Sequence, residues 1–168
     1  MQRRWFAFAL TVASVAAVWG CTIDPGPNFV VPLSVFNQDF FYCHVEPEYL
    51  FAPQTQCGAG ASGDNGNCHF NSSAVSGMVL QDHTPIDCGG GDHPVPGANG
   101  TGATGPGSPA ANNFSSASLE MVRDCVDYAS CQAPILKRPT STQAHPRMIF
   151  DPSDPTLPNV IYKWAATP

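Results

Sequence analysis

Positive charge is scarce in this chain: 7 Lys and Arg stand against 13 Asp and Glu, and only 12% of the 168 residues are charged. A nucleic-acid binder needs a basic footprint, so nucleic acid is not an expected partner. Strand-like alternation of apolar and polar residues is absent, as are internal repeats, which argues against a sheet-based domain or a solenoid. Catalytic signatures are missing as well. No G-x-S-x-G elbow occurs. The tracts "GGGDHP" and "GANGTGATGPG" follow no strand, open no helix directly and lack the lysine of a phosphate-binding loop. The Cys and His residues lack the paired CxxC or HxxxH spacing of a zinc site. An enzyme is therefore not expected.

What is present begins with an export signal. "MQRR" carries Arg3 and Arg4, and "WFAFALTVASVAAVWG" then runs without a charge to Cys21. This is the pattern of a signal peptide over residues 1–20. A membrane-spanning helix needs ~20 apolar residues and a stop-transfer flank, whereas this run ends in "GCTIDPGP". "VWGC" resembles the bacterial lipobox, in which the cysteine is lipidated and becomes the first mature residue. Gly20 and Cys21 match it, and Trp19 departs from its preference for a small residue. The resemblance implies a lipoprotein held on a membrane surface through Cys21, in the periplasm or at the outer membrane. The alternative is an ordinary secretory cut that leaves Cys21 as a disulfide partner.

Residues 21–32 are short and proline-punctuated, like a tether. One domain, 33–168, is expected to follow. In "LSVFNQDFFYCHVEPEYLF", Phe36, Phe40, Phe41, Val45 and Leu50 fall along one side of a helix, with Pro47 expected near a helix start or at a break. From Asp82 to Ala111 almost no large apolar residue occurs, so 82–114 reads as a flexible Gly/Pro-rich insertion without a packed face. Beyond it, "SSASLEMVRDCVDYASC" predicts a helix capped by Ser116 or Ser118. Glu120 stands in its first turn, and Leu119, Val122, Cys125 and Val126 recur at helical spacing. The tail is broken by Pro139, Pro146, Pro152, Pro155 and Pro158 until Val160, Ile161 and Trp164 offer a short closing helix. The fold class expected is mainly α and loop-rich.

Two stretches carry a resemblance. "FYCHVEPEYL" followed by Cys57 and "NCHF" is similar to the start of c-type cytochrome-like domains of exported, myxobacterial-type lipoproteins. There a helix with a V-x-P-x-L pattern leads to a cysteine, a variable gap and Cys-His. "APILKRPTSTQAHPRMIFDPSDPTLPNVIYKWAA" looks like the closing segment of the same family, matched at Pro134, Leu136, Lys137, Pro139, His145, Phe150, Asp154, Pro155 and Trp164. Together they span about half of the mature chain. The resemblance implies a small cytochrome c-like domain that transfers electrons between redox partner proteins through one covalent haem c. Cys57 and Cys68 would carry the thioethers. His69 would be the proximal iron ligand and His145 the distal one, with Met148 as the alternative. The chain departs from the family in three places. Ten residues separate Cys57 from Cys68 where compact attachment sites have two. Pro146, Arg147 and Met148 replace the glycines after the tail histidine, and Cys43, Cys88, Cys125 and Cys131 are additional.

The same residues read without a cofactor give a different protein. Seven cysteines less a lipidated Cys21 leave six, an even number suited to an oxidising compartment. They allow three disulfides, or one haem and two disulfides. Cys125 and Cys131, with five residues between them, are expected to pair with each other. If Cys57 and Cys68 also pair, the product is a disulfide-stapled surface lipoprotein with a structural or partner-binding role. His44, His83 and His93 adjoin loop residues and read as solvated. The anchor is open to test by feeding cells a labelled fatty acid. Cys21 is expected to take up the label, and Cys21→Ser to move the protein to the soluble fraction. An unlabelled Cys21 recovered in a disulfide would reject the anchor.

Overall fold

The computed structural model describes residues 36–52, 68–70, 77–140, 149, 151 and 153–167. The expected leader, Cys21, the tether, Cys57, His145 and Met148 lie outside them.

Asn37 starts the first helix. Its side-chain oxygen accepts from the Phe40 N–H at 2.8 Å, satisfying one of the donors that a helix start leaves open. One α-helical turn, Gln38–Phe40, then runs on into a π-helix, Phe41–Leu50, and the two together form α1. Pro47 lies inside the π-helix rather than at a start or a break. Proline removes a backbone donor and crowds the carbonyl four residues back. The wider i→i+5 register, shown by Phe51 N–H donating to the Glu46 carbonyl at 2.8 Å, carries the chain past it. Burial follows that register: Phe41, Val45 and Tyr49, and beside them Tyr42, Glu46 and Leu50, recur every fourth residue. Phe36 is buried as expected, and Phe40 is only partly covered.

The second helix is not where its sequence pattern put it. Helix α2 spans Pro109–Ser118, with Ser108 as N-cap accepting from Ala111 N–H and Pro109 pre-set at the first position. It ends where the helix capped by Ser116 or Ser118 was expected to begin. Leu119 and Val126, two of the four residues that made the helical spacing, are 63% and 69% exposed. Local turns take this stretch instead. Asp127 accepts from Ser130 N–H through its side chain (2.8 Å) and from Cys131 N–H through its carbonyl (2.9 Å), closing a turn that side-chain acceptors favour over helix. The end of the expected insertion is also corrected: residues 109–114 are the first six residues of α2, and Ala110, Asn113 and Phe114 are buried. The rest of that segment is irregular chain and turns with one 3₁₀ turn, Thr101–Ala103. Gly100 is obligatory there, because a β-carbon would stand 1.9 Å from the Val95 carbonyl oxygen.

Two further helices close the fold, α3 at Pro134–Lys137 and α4 at Thr156–Ala166. Asp154 opens α4 by accepting from Thr156 N–H, and Pro158 falls within the first turn, where its missing donor costs nothing. Val160, Ile161 and Trp164 all face the core, as the tail pattern anticipated. Among the described residues there is no strand; the chain is mainly α and loop-rich.

The core is aromatic. Trp164 is fully buried with Phe36 and Phe41 each 5.2 Å away between ring centres and Phe114 at 6.2 Å. Its indole N–H donates to the Asn37 carbonyl at 3.0 Å, so its one polar atom is satisfied. From the other end of α1, the Tyr49 hydroxyl donates to the Ile135 carbonyl at 2.8 Å and ties in α3. Trp164→Ala is expected to cost about 3–5 kcal/mol, as for large aromatic truncations in cores. Val126→Ala is expected to change stability by less than about 0.5 kcal/mol. Urea melts measure both, and similar small losses at the two positions would contradict this core.

Candidate functional site

Immediately beyond the first undescribed gap, Cys68–Phe70 forms a single 3₁₀ turn. His69 is partly buried in it, and two bonds hold the turn against the segment that follows. Its Nδ1 lies 2.7 Å from the Met78 carbonyl oxygen, and its own carbonyl accepts from Leu80 N–H at 2.7 Å. A carbonyl only accepts, so Nδ1 carries the proton, and in the neutral ring the lone pair is on Nε2. Phe70 packs against Phe51 at the exit of α1, 5.8 Å between ring centres.

The segment that orients His69 is itself fixed by α2. Val79 N–H donates to Ser116 Oγ at 2.8 Å. Asn113 holds both backbone groups of Gln81, accepting from its N–H at 2.7 Å and donating to its carbonyl at 2.9 Å. The remaining Asn113 amide hydrogen goes to Glu46 Oε1 at 2.8 Å. Glu46 is 1% exposed in the middle of α1, and the same oxygen accepts from His83 Nε2 at 2.9 Å. A buried carboxylate is costly unless paired and hydrogen-bonded, and these two donors supply that. His83 is held above the ordinary histidine range, first by its bond to Glu46 and against the pull of burial.

Two of the three histidines expected to be solvated, His83 and His44, are instead partly buried and engaged, while His93 is exposed as expected. The side chain of His83 is 10% exposed and that of His44 24%. His44 reaches Glu48 with Nδ1 and Asp92 with Nε2, both at 2.7 Å. Exposed His93 lies 2.9 Å from Asp39. Of these contacts only His44 with Glu48 was visible in the sequence, as an i,i+4 pair on one helix. The others cross between α1 and the 82–93 segment, whose proximity no local spacing reveals.

Four cysteines are paired. Cys43 in α1 joins Cys88, and Cys125 joins Cys131. Chain-entropy arguments assign about 4 kcal/mol to the first, which closes a loop of 45 residues, and about 2 kcal/mol to the second. Cys21, Cys57 and Cys68 remain, and Cys68 is described by its backbone alone. Among the described residues no three His, Cys, Asp or Glu side chains converge to hold a metal ion, and no helix is long and apolar enough to cross a membrane. The chain matches no protein-family model, no curated protein and no solved structure at a significant level.

For a haem the donor chemistry at His69 fits. A metal-bound histidine ordinarily donates its second ring N–H to a carbonyl or carboxylate, which fixes the ring and raises its basicity. The Met78 carbonyl stands in that relation to Nδ1.

Proposed function

We propose that the chain is an exported, lipid-anchored electron carrier of the c-type cytochrome kind. Cys57 and Cys68 hold one haem by thioethers and His69 is its proximal ligand. His145 is the preferred distal ligand and Met148 the alternative. The observation that carries this reading is the His69 ring, held through Nδ1 by the Met78 carbonyl, so that Nε2 is the ligating nitrogen. Two others support it. The stretches that carry the family resemblance, α1 and the closing helix, pack on each other around Trp164. The two disulfides account for four of the six cysteines that follow Cys21, and the pair they leave is the pair the haem would use.

The haem would supply reversible one-electron chemistry, with no substrate transformed. A methionine sulfur as the second protein ligand would raise the reduction potential relative to a second imidazole. The chain's own residues hold the His69 ring by Met78 and pack Phe51 against Phe70 of its turn. The expected partners are redox proteins at the same membrane surface.

A second reading is favoured by the two bridges themselves, which already staple turn-rich segments. A third bridge, Cys57 to Cys68, would add about 3 kcal/mol on chain-entropy grounds. The chain would then be a cofactor-free surface lipoprotein that acts by binding a partner.

Expression in an export host with cytochrome c maturation separates the two. The haem reading expects coloured protein whose Soret band survives denaturation in sodium dodecyl sulfate. His69→Ala should abolish normal ligation, and His145→Ala should alter the spectrum without releasing the haem. Colourless protein from a host that matures a control cytochrome would reject the haem and leave the stapled reading.

A further inference from the structure

The 82–92 segment meets α1 at two histidines whose surroundings demand a proton on each ring nitrogen. His83 presents Nδ1 to the Thr84 carbonyl at 2.7 Å and Nε2 to Glu46 Oε1 at 2.9 Å. His44 presents Nδ1 to Glu48 and Nε2 to Asp92, 2.7 Å each. Carbonyl and carboxylate oxygens accept and do not donate, and a neutral imidazole has one N–H. Both contacts of each ring are hydrogen bonds only in the imidazolium. Loss of one proton turns a ring lone pair toward an oxygen lone pair.

We propose that His44 and His83 form an acid-engaged clasp that holds the 82–92 segment on α1 and loosens on deprotonation, while the Cys43–Cys88 disulfide keeps the loosened segment tethered.

The two points are unequal. His83 and Glu46 are 10% and 2% exposed, so their pair is poorly screened. On losing one proton, His83 can donate to Glu46 or to the Thr84 carbonyl but not to both, and where Nε2 gives up the proton the Asn113 amide still donates to the buried carboxylate. Glu48 and Asp92 are 51% and 72% exposed, and pairs of that kind contribute little on their own. The groups facing His83 are Glu46 from α1, Asp82 beside it, Asn113 of α2 through the shared oxygen and the edge of the Phe51 ring. Glu46 also faces the Tyr42 hydroxyl. Glu48, Asp92 and the Phe40 ring face His44. His93 meets Asp39 through one nitrogen, a contact the neutral ring keeps, and is not part of the clasp.

The sign follows from the charges. The bond to Glu46 raises His83 above its ordinary value; burial pulls His44 down, but its bonds to Glu48 and Asp92 outweigh that and raise it. A group with a raised folded-state value contributes stability fully present below its unfolded value, about 6.5 for histidine, and lost as pH rises through the folded value. The clasp is therefore closed in mildly acidic surroundings and opens toward alkaline pH.

The test uses the full oxidised chain. Imidazole ¹⁵N NMR from about pH 5 to about pH 9 spans the range in which histidine switches. It is expected to show both nitrogens of His44 and His83 protonated at the acid end and titrating above the ordinary histidine value. Backbone amides of 82–92 should shift with the same midpoints. Titration at or below the ordinary value, or loop amides indifferent to it, would overturn the clasp. A phosphine reductant supplies the second readout, as the rate for Cys43–Cys88 divided by that for Cys125–Cys131 in the same molecule, which cancels the reagent's own pH dependence. The ratio should rise several-fold from acid to alkaline pH. It should be flat in the His44→Gln, His83→Gln double variant, and a double variant that keeps the wild-type slope would also overturn the proposal. If that variant does not fold, the wild-type titration decides alone.

Discussion

The fold depends on Trp164 being accepted between the start of α1 and the middle of α2. The indole touches Phe36, Phe41 and Phe114 and donates to the carbonyl of Asn37, the residue that also caps α1. One side chain thus joins residues 127 positions apart and fixes the face that α1 turns inward. With that face set, the remaining sides of the π-helix are assigned. Tyr49 is directed to α3, Glu46 to Asn113 and His83, and Cys43 to Cys88. In a chain with 15 glycines and 17 prolines, an aromatic core of this kind with two disulfides is how a small, loop-rich domain holds together.

Among the described residues, the polar part of the structure is organised around one buried carboxyl group. Glu46 sits where an apolar residue would be unremarkable, and its presence requires donors from two other parts of the chain. Asn113 comes from α2 and His83 from the loop, and Asn113 in turn holds Gln81, next but one to Val79, whose N–H is fixed by Ser116. The carbonyl that orients His69 belongs to Met78, immediately before that anchored run. The His69 turn and the histidine clasp therefore share one short segment, 78–84, fixed from both sides. Buried polar networks of this sort are stable only when every member is satisfied, which couples the protonation of His83 to the placement of its neighbours.

Legibility differed with how local the cause was. The closing helix was readable because Val160, Ile161 and Trp164 recur on one face after a proline-rich stop, and nothing later in the fold opposes that pattern. Half of the buried set of α1, Phe41, Val45 and Leu50, was readable too, but not Tyr42, Glu46 and Tyr49 nor the register that buries them, because a π-helix at Pro47 is a response to sequence and packing together. The helix expected from Ser116 or Ser118 shows the opposite case. Leu119, Val122, Cys125 and Val126 have helical spacing, yet Ser108 and Pro109 begin the helix earlier and the Asp127 turn takes the later residues. At the site, the Cys68-His69 adjacency stood in plain view, whereas the Met78 carbonyl that orients the ring, and the Glu46 partner of His83, depend on long-range packing that no spacing encodes.

The central claim is that Cys57 and Cys68 hold a haem beside His69 rather than each other. The most direct measurement is the intact mass of the mature, non-reduced protein purified from a host that matures cytochromes c, with peptide fragmentation across Cys57 to Phe70. The account predicts a mass equal to the polypeptide, its lipid, two disulfides and one haem, with the haem carried on the peptides of both cysteines. A mass equal to the polypeptide, its lipid and three disulfides, with Cys57 joined to Cys68, would contradict it.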